Sequence, residues 1–178
     1  MKKLVLAFLL VPAMARAGEI QGAVGLVGAA SEWRDDGAAY ASFRLGYRWW
    51  HRLAIDAQGW FGHAPIDDRY LTYLTVGASL YGQIKQTRPY LRLGFVHQHE
   101  EPSTSLRNDP FGAAFGVGDG IRHRGGFMSA AGLEIPFAQA GHHEWFASVE
   151  ANATWFPDPR GPSWYAGGGA GIGVSFGR

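Results

Sequence analysis

Apolar and polar side chains alternate along most of this chain. The stretch from 40 to 49 shows the pattern most clearly. One set of positions there holds Ala41, Phe43, Leu45, Tyr47 and Trp49, and the alternate set holds Tyr40, Ser42, Arg44, Gly46 and Arg48. Successive residues of a β-strand point to opposite faces of a sheet. The alternation therefore predicts a strand with one apolar face and one polar face.

The same alternation recurs about eight times. The first four segments cover residues 20–30, 38–49, 53–61 and 70–83. The fifth contains Leu91, Leu93 and Phe95, the sixth begins at Phe127, and the eighth begins at Trp164. The seventh places Ala147, Val149, Ala151, Ala153 and Trp155 on one face. The longest connection is predicted at residues 100–125, and the first, third, fifth and seventh connections are predicted to be longer than the others.

The first 17 residues have the pattern of an export signal. Lys2 and Lys3 precede an apolar run from Leu4 to Val11, and Ala15-Arg16-Ala17 forms a small-residue cleavage site. A membrane anchor is the competing interpretation, but the run is shorter than the roughly 20 apolar residues that a spanning helix needs. We predict a signal peptide at residues 1–17 and one domain at residues 18–178.

Repeated alternation behind an export signal predicts an all-β chain, an eight-stranded antiparallel up-and-down transmembrane β-barrel in a bacterial outer membrane. Its apolar face contacts lipid and its polar face lines the lumen. Aromatic residues near the ends of the segments predict two girdles at the membrane surfaces. They are Trp49, Trp50, Tyr90, Trp145 and Phe176 at one rim, and Phe61, Tyr70, Trp155 and Trp164 at the other. The alternative is a soluble barrel of lipocalin type with the apolar faces turned inward.

Composition narrows the function classes. Without Lys2, Lys3 and Arg16, the 13 remaining basic residues face 15 acidic ones, so a mature chain carries a formal charge of −2 and has no electrostatic basis for binding nucleic acid. The chain has no cysteine, which excludes disulfides and cysteine-based metal sites. Its 26 glycines are spread through the predicted strands, where they relieve crowding inside a small barrel.

Charged residues fall on the lumen side of several strands. They are Arg44, Arg48, Asp56, Arg92, Glu134 and Glu150. Charges enclosed in a narrow barrel must pair, and eight strands leave an interior just wide enough for side chains. We expect a closed, salt-bridged lumen, with Arg92 roughly opposite Glu134 and with Arg44 at the depth of Glu150. An ion path or a gate is the alternative.

The region from His97 to His123 carries the candidate chemistry. His97 and His99 share a strand face, and His123 returns close to them if residues 100–125 form a hairpin loop. A metal site is conceivable, but no recognised ligand spacing supports one, so we expect neither a metal nor another cofactor. A nucleophilic centre would combine Ser103 or Ser105 with these histidines and Glu100. Loop serines are more often turn formers.

Basic residues of the same loop suggest a ligand. Arg107, Arg122 and Arg124 could pair with the phosphates of lipopolysaccharide, because guanidinium groups bind phosphate well. Plain solubility of the loop is the competing interpretation. The glycine-rich stretch from Phe111 to Gly120 lacks the strand-to-helix context of a phosphate-binding loop, so we do not predict nucleotide binding.

With its export signal, alternating segments, short turns and aromatic girdles, the chain resembles the small eight-stranded outer-membrane barrels, such as the transmembrane domain of outer membrane protein A and its single-domain relatives. The resemblance implies insertion by the barrel-assembly machinery of a Gram-negative bacterium. Such chains often end in an aromatic residue, whereas Gly177 and Arg178 follow Phe176 here. Two lipid A-modifying enzymes share the architecture, but the His-x-Ser pair of the deacylase occurs nowhere in this chain.

These observations favour a non-enzymatic outer-membrane barrel. Its outer loops, mainly residues 100–125, are expected to contact lipopolysaccharide, a surface ligand or an envelope protein partner. The alternatives are a lipid A deacylase-like hydrolase centred on the His97 to His123 region, and a narrow pore.

Overall fold

A computed structural model describes residues 18–33, 36–115, 117 and 120–177, with the backbone alone at 113–115. The predicted signal peptide lies outside the described residues and stays a prediction. No helix in the described part of the chain is long and apolar enough to cross a membrane.

Eight strands close into one barrel. They are β1 (Gly18–Ser31), β2 (Gly37–Trp49), β3 (Leu53–Ala64), β4 (Arg69–Tyr81), β5 (Arg88–Pro102), β6 (Arg122–Ala140), β7 (His143–Trp155) and β8 (Trp164–Phe176). Each strand pairs antiparallel with the next along the chain, and β1 pairs with β8. Closure leaves no unpaired sheet edge. The predicted fold class is confirmed.

The two ends of the barrel differ in their connections. Connections at residues 50–52, 82–87 and 141–142 lie at the end that holds Gly18 and Phe176. Residues 32–36, 65–68, 103–121 and 156–163 connect the strands at the other end. We call that end the extracellular rim, because the longer loops of such barrels face the outside. The connection at 65–68 is shorter than predicted, since β3 continues to Ala64 and β4 begins at Arg69. It is also shorter than the connection at 82–87, so the predicted order of lengths is wrong for the third connection.

The long loop is more structured than the sequence suggested. Its first part forms two short helices, α1 (Ser103–Asn108) and α2 (Pro110–Phe115). The flanking strands also continue further than predicted, so that Glu100 pairs with Arg122 at the top of the β5–β6 ladder. Strand pairing satisfies backbone hydrogen-bonding groups and therefore extends to the ends of both segments.

The apolar faces of the strands point outward. Val24 is 66% exposed, Leu93 is 71% exposed and Ile172 is 54% exposed. The lumen side of the same strands is buried and largely polar or aromatic. Water does not cover a wall of this kind stably, since isolated apolar patches on soluble proteins are far smaller. The alternative of a soluble barrel with an apolar interior is wrong.

Most predicted girdle residues are on the outer wall. Trp50, Phe61, Trp145, Trp155, Trp164 and Phe176 are all exposed. Tyr90 is an exception, because it is 4% exposed and its hydroxyl donates to Glu150 Oε2 in the lumen at 2.8 Å. Tyr90 lies two residues before Arg92 on β5 and therefore shares its inward face. The girdle prediction used only the position of Tyr90 near a strand end, which does not determine the face on which a side chain lies.

Glycine allows aromatic rings to lie against the sheet inside the lumen. Tyr90 is the cross-strand partner of Gly132, and Phe146 is the partner of Gly173. A β-carbon at either glycine would collide with the ring of its partner. The buried rings have no room to move aside, so glycine is required at both positions.

Introducing a charge on the outer wall tests its contact with lipid. Leu93 lies in the middle of the outward row of β5, between Leu91 and Phe95. Leu93→Arg is expected to lower the free energy of unfolding by about 2–4 kcal/mol, because an arginine at the bilayer midplane loses its hydration. Urea unfolding in phospholipid vesicles measures the change. Thr104→Arg, at an exposed site in α1, is the control and is expected to stay within about 0.5 kcal/mol of wild type. Equal, small effects of both substitutions would contradict a hydrocarbon environment for Leu93.

Candidate functional site

All six charged residues assigned to the lumen by alternation lie inside the barrel. Their partners differ from the expected ones. Arg92 contacts Asp56 and Glu150, whereas Glu134 contacts arginines of β2 and β5. The β5–β6 register explains the difference, because Glu134 is paired with Arg88 and Arg92 with Ala130. The expected Arg92–Glu134 pair is therefore wrong.

Glu134 is the centre of an ion cluster near the end of the barrel that holds Gly18 and Phe176, which we call the lower end. Arg44 Nη2 donates to its Oε1 at 2.7 Å, and Arg48 Nη1 and Arg88 Nε donate to its Oε2 at 3.1 and 3.2 Å. Tyr81 adds a fourth hydrogen bond, to Oε1 at 3.1 Å. The Glu134 side chain is fully buried, so these donors replace all of its hydration.

Further acidic residues balance these arginines. Arg48 Nε donates to Glu19 at 2.7 Å, and Arg88 Nη1 donates to Glu144. Glu19, Arg88 and Glu144 were not predicted as lumen residues, because they fall outside or at the edge of the strands predicted from the sequence. The alternation of the strand could have identified Arg88, because it lies four residues before Arg92 and therefore on the same face of β5.

A second ion cluster lies above the first. Arg92 Nη1 donates to Glu150 Oε2 at 2.6 Å and to Gln58 at 3.1 Å, while its Nε lies 3.1 Å from Asp56 Oδ1. Ser79 donates to the other oxygen of Asp56 at 2.8 Å. Glu150 is therefore held by Arg92 and by Tyr90, and Arg44 at the expected depth bonds to Glu134 instead.

Aromatic rings fill the upper lumen. Tyr73 lies at their centre, with its ring centroid 5.4 Å from that of Tyr40, 5.5 Å from Trp60 and 6.0 Å from Phe156. Tyr165 completes the cluster, with its ring 6.3 Å from that of Tyr73. The sequence analysis predicted a charged interior and missed this layer. Inward parity of Tyr40, Trp60 and Tyr73 on three consecutive strands was the signal.

A third group of charges ties the loops to the barrel mouth. Arg69 donates to Asp36 and to Glu100, and Arg122 Nε donates to Glu100 Oε2 at 2.9 Å. Arg122 also donates to the carbonyl of Arg160. The loops at 32–36 and 156–163 are thereby joined to the strands at the rim.

The three predicted ligand-binding arginines do not form one outward cluster. Arg124 is buried: it lies over the Phe156 ring at 4.5 Å and donates to the carbonyls of Asp158 and Pro162. Arg122 is half-buried and bonded to Glu100, so only Arg107 is fully exposed. Arg124 was assigned to a loop, but β6 begins two residues before it and turns its side chain inward.

Three histidines meet on the outer wall at the extracellular rim. His99 and His123 are cross-strand partners, and His97 precedes His99 on the same face. One ring nitrogen from each lies within 4.8 Å of the other two, and His123 Nδ1 is 3.3 Å from His97 Nε2. The hairpin geometry proposed from the sequence thus brings all three together.

The candidate serines do not join this cluster. Ser103 donates its hydroxyl to Asp68, which also accepts from His63 Nε2 at 3.0 Å. The bond from Ser103, together with His63, holds the pKa of Asp68 below its usual range. Asp68 thus stands between serine and histidine, whereas nucleophilic activation needs the histidine in the middle. Ser105 uses its backbone carbonyl to accept from Asp109 N, and the bonds of Glu100 go to Arg69 and Arg122.

Comparison with known proteins supports the fold. No protein-family model and no curated protein matches this chain. Solved structures do. Neisserial surface protein A is 15% identical with a TM-score of 0.59, and covers 90% of this chain and 97% of its own. Ail of Yersinia pestis is 15% identical with a TM-score of 0.55, and the match covers 90% of this chain and 99% of Ail. OprG, an outer membrane protein of Pseudomonas aeruginosa, is 11% identical with a TM-score of 0.51, and the match covers 90% of this chain and 96% of OprG.

The chain therefore has the fold of the small eight-stranded outer-membrane barrels, as the resemblance implied. Its own exterior agrees, because a closed barrel with an apolar outer wall and aromatic girdles spans a membrane. Together these observations make it a bacterial outer-membrane barrel protein.

Proposed function

We propose that this protein is a non-enzymatic barrel that acts through its extracellular rim, where the loop at residues 100–125 contacts lipopolysaccharide. The observation that carries the proposal is the filled lumen. Two ion clusters around Glu134 and Arg92, and the aromatic layer around Tyr73, occupy the interior at successive depths. An interior filled in this way blocks the passage of solutes and directs attention to the outer surface.

We expect the extracellular rim to contact another molecule rather than to transport solutes. An ion pair between Arg69 and Asp36 holds the loop at 32–36, and two hydrogen bonds from Ser103 to Asp68 hold the start of α1 against the connection at 65–68, so this part of the rim is preorganised. Apolar residues stand out from this surface, with Phe111 76% exposed and Val117 79% exposed. Acyl chains of a lipid, or a protein partner of the envelope, would cover such side chains.

Arg107 is the residue most accessible to a phosphate. It lies in the last turn of α1, exposed and outside the lumen networks. The Ail structure, which has this fold, was solved in complex with the heparin analogue sucrose octasulfate, a polyanion. A protein of this fold can thus bind a polyanion, which is consistent with an anionic glycolipid here. Insertion by the barrel-assembly machinery remains an expectation from the resemblance.

Binding to purified lipopolysaccharide tests the proposal. The folded barrel is immobilised in detergent micelles and lipopolysaccharide is the probe in surface plasmon resonance. Arg107→Gln is expected to weaken binding about fivefold, because one surface arginine contributes about 1 kcal/mol toward an anionic lipid. Arg52→Gln, in a turn at the opposite end, is the control and is expected to have no effect. Equal losses in both variants, or no retention of lipopolysaccharide, would contradict the proposal.

Two further measurements separate the alternatives. Lipid A from cells that express the wild type, and from cells that express His97→Ala/His123→Ala, is profiled by mass spectrometry. A wild-type-dependent change in acylation that the double variant loses would favour the hydrolase. Stepwise conductance of the inserted wild-type barrel in planar bilayers would favour the pore. We expect neither.

A further inference from the structure

The three rim histidines stand at a well-defined level of the outer wall. The outward row of β5 runs Leu91, Leu93, Phe95 and then changes to His97 and His99. Directly below the histidines, Phe95 packs against Phe127 with their ring centroids 5.0 Å apart. Aromatic rings of a barrel girdle mark the headgroup layer. The imidazoles therefore lie just outside the hydrocarbon, where ions from the surrounding water reach them.

The register between β5 and β6 brings the three histidine side chains together. His123 lies directly opposite His99, and Gly125 lies opposite His97. Gly125 carries no side chain, and the space that a β-carbon would fill there is open. The His97 and His123 rings therefore approach diagonally across Gly125, with their centroids 5.4 Å apart. The other two ring pairs are closer, at 4.7 and 4.8 Å.

These separations suit one metal ion. Nitrogens bound to a tetrahedral Zn²⁺ at about 2.0–2.1 Å lie about 3.3 Å from one another. The distance from His123 Nδ1 to His97 Nε2 is 3.3 Å already. All three candidate ligand atoms lie within 4.8 Å of one another, so small rotations of the side chains complete the set.

Two buried polar groups, one in the cluster and one two residues further along β5, have no hydrogen-bond partner in the described part of the chain. His99 is 5% exposed, and its Nδ1 has no hydrogen-bond partner. Glu101, the next outward residue of β5, is 1% exposed, and neither of its carboxylate oxygens has a partner. A buried carboxylate without a partner is unfavourable unless a cation neutralises it. A carboxylate beside histidines also commonly serves a metal, as a ligand or as a hydrogen-bond acceptor from a ligating imidazole.

We propose that His97, His99 and His123 bind one divalent transition-metal cation, of which Zn²⁺ is the best match, on the outer wall of the barrel at the extracellular rim. Imidazole nitrogens favour Zn²⁺, Cu²⁺ and Ni²⁺ over Mg²⁺ and Ca²⁺, which prefer oxygen ligands. Three protein nitrogens leave a fourth position for water. The site does not rest on the proposed contact with lipopolysaccharide, because its three imidazoles lie on β5 and β6 and Arg107 is not among its ligands.

Titration of the folded full barrel in detergent micelles with Zn²⁺ alone tests the site. Calorimetry is expected to show one ion per chain. His99→Ala and the double variant His97→Ala/His123→Ala are each expected to weaken binding by about 100-fold or more, since even residues that only support metal ligands carry 10–100-fold. Glu101→Gln is expected to weaken it about tenfold. His142→Ala, in the turn at the opposite end, is expected to bind as wild type does.

Co²⁺ gives a second readout. Its ligand-field absorption reports coordination by nitrogen, and the spectrum is expected to disappear in the double variant and to persist in His142→Ala. His97 and His123 are exposed on the wall, so their loss leaves the lumen packing intact, and heat-modifiable mobility in gels confirms folding. Absence of wild-type binding at micromolar Zn²⁺, or equal affinity in wild type and the folded double variant, would overturn the proposal.

Discussion

Glu134→Ala is expected to lower the free energy of unfolding by about 3–5 kcal/mol, because it leaves buried arginines without their shared anion. Arg44, Arg48 and Arg88 all donate to this one carboxylate, and Arg48 and Arg88 are almost fully buried. Arg44 is 7% exposed, so water has little access to the three guanidinium groups. Urea unfolding in phospholipid vesicles, followed by tryptophan fluorescence, measures the loss.

An exposed ion pair provides the control for Glu134. Asp67 pairs with Arg69 at 2.8 Å, but its side chain is 52% exposed. Asp67→Ala is expected to change stability by about 0–1 kcal/mol, since water replaces the carboxylate and screens the charge. If Glu134→Ala were as mild as Asp67→Ala, the lower lumen would be hydrated and the argument for a sealed interior would fail.

Tyr73→Ala is the second large effect that we expect, with a loss of about 3–5 kcal/mol. The Tyr73 ring touches four other rings inside the lumen, and the surrounding strands are held in register by the closed barrel. The wall cannot collapse into the space, so the contacts are lost outright. The same urea titration measures the change.

Tyr73→Phe separates the ring from its hydroxyl. Gln98 Nε2 donates to the Tyr73 hydroxyl at 3.2 Å, and phenylalanine keeps the ring but loses this bond. We expect a loss of about 0.5–1.5 kcal/mol. Equal losses for Tyr73→Phe and Tyr73→Ala would mean that the aromatic packing contributes little and that hydrogen bonding holds the upper lumen together.

Much of the fold was predictable because the period of a strand is two. Once a segment such as 40–49 alternates, each side chain is assigned to lipid or to lumen, and Phe43 and Arg44 lie where that rule put them. Strand ends were less predictable. Arg88, Arg122 and Arg124 were assigned to turns or loops, yet ladder pairing continues through all three. Charged residues at a strand end resemble loop residues in sequence, so only the pairing identifies them.

The candidate sites divide in the same way. The shared face of His97 and His99 followed from their spacing, but their approach to His123 required the hairpin register that pairs His99 with His123. The partner of the Ser103 hydroxyl could not be predicted from the sequence. In the structure that partner is Asp68 and not a histidine, and the contact does not favour nucleophilic chemistry. The connection at 65–68 brings Asp68 there from a distant part of the sequence.

The sequence by itself determined the eight strands, the outward apolar wall and six of the charges that the lumen encloses, because all three depend only on alternation along a single strand. Tertiary structure decided which charges meet. Glu134 on β6 contacts Arg44 and Arg48 on β2, four strands away around the ring. The depth of a residue in a closed barrel depends on the stagger between strands, a property of the whole sheet that no single strand encodes.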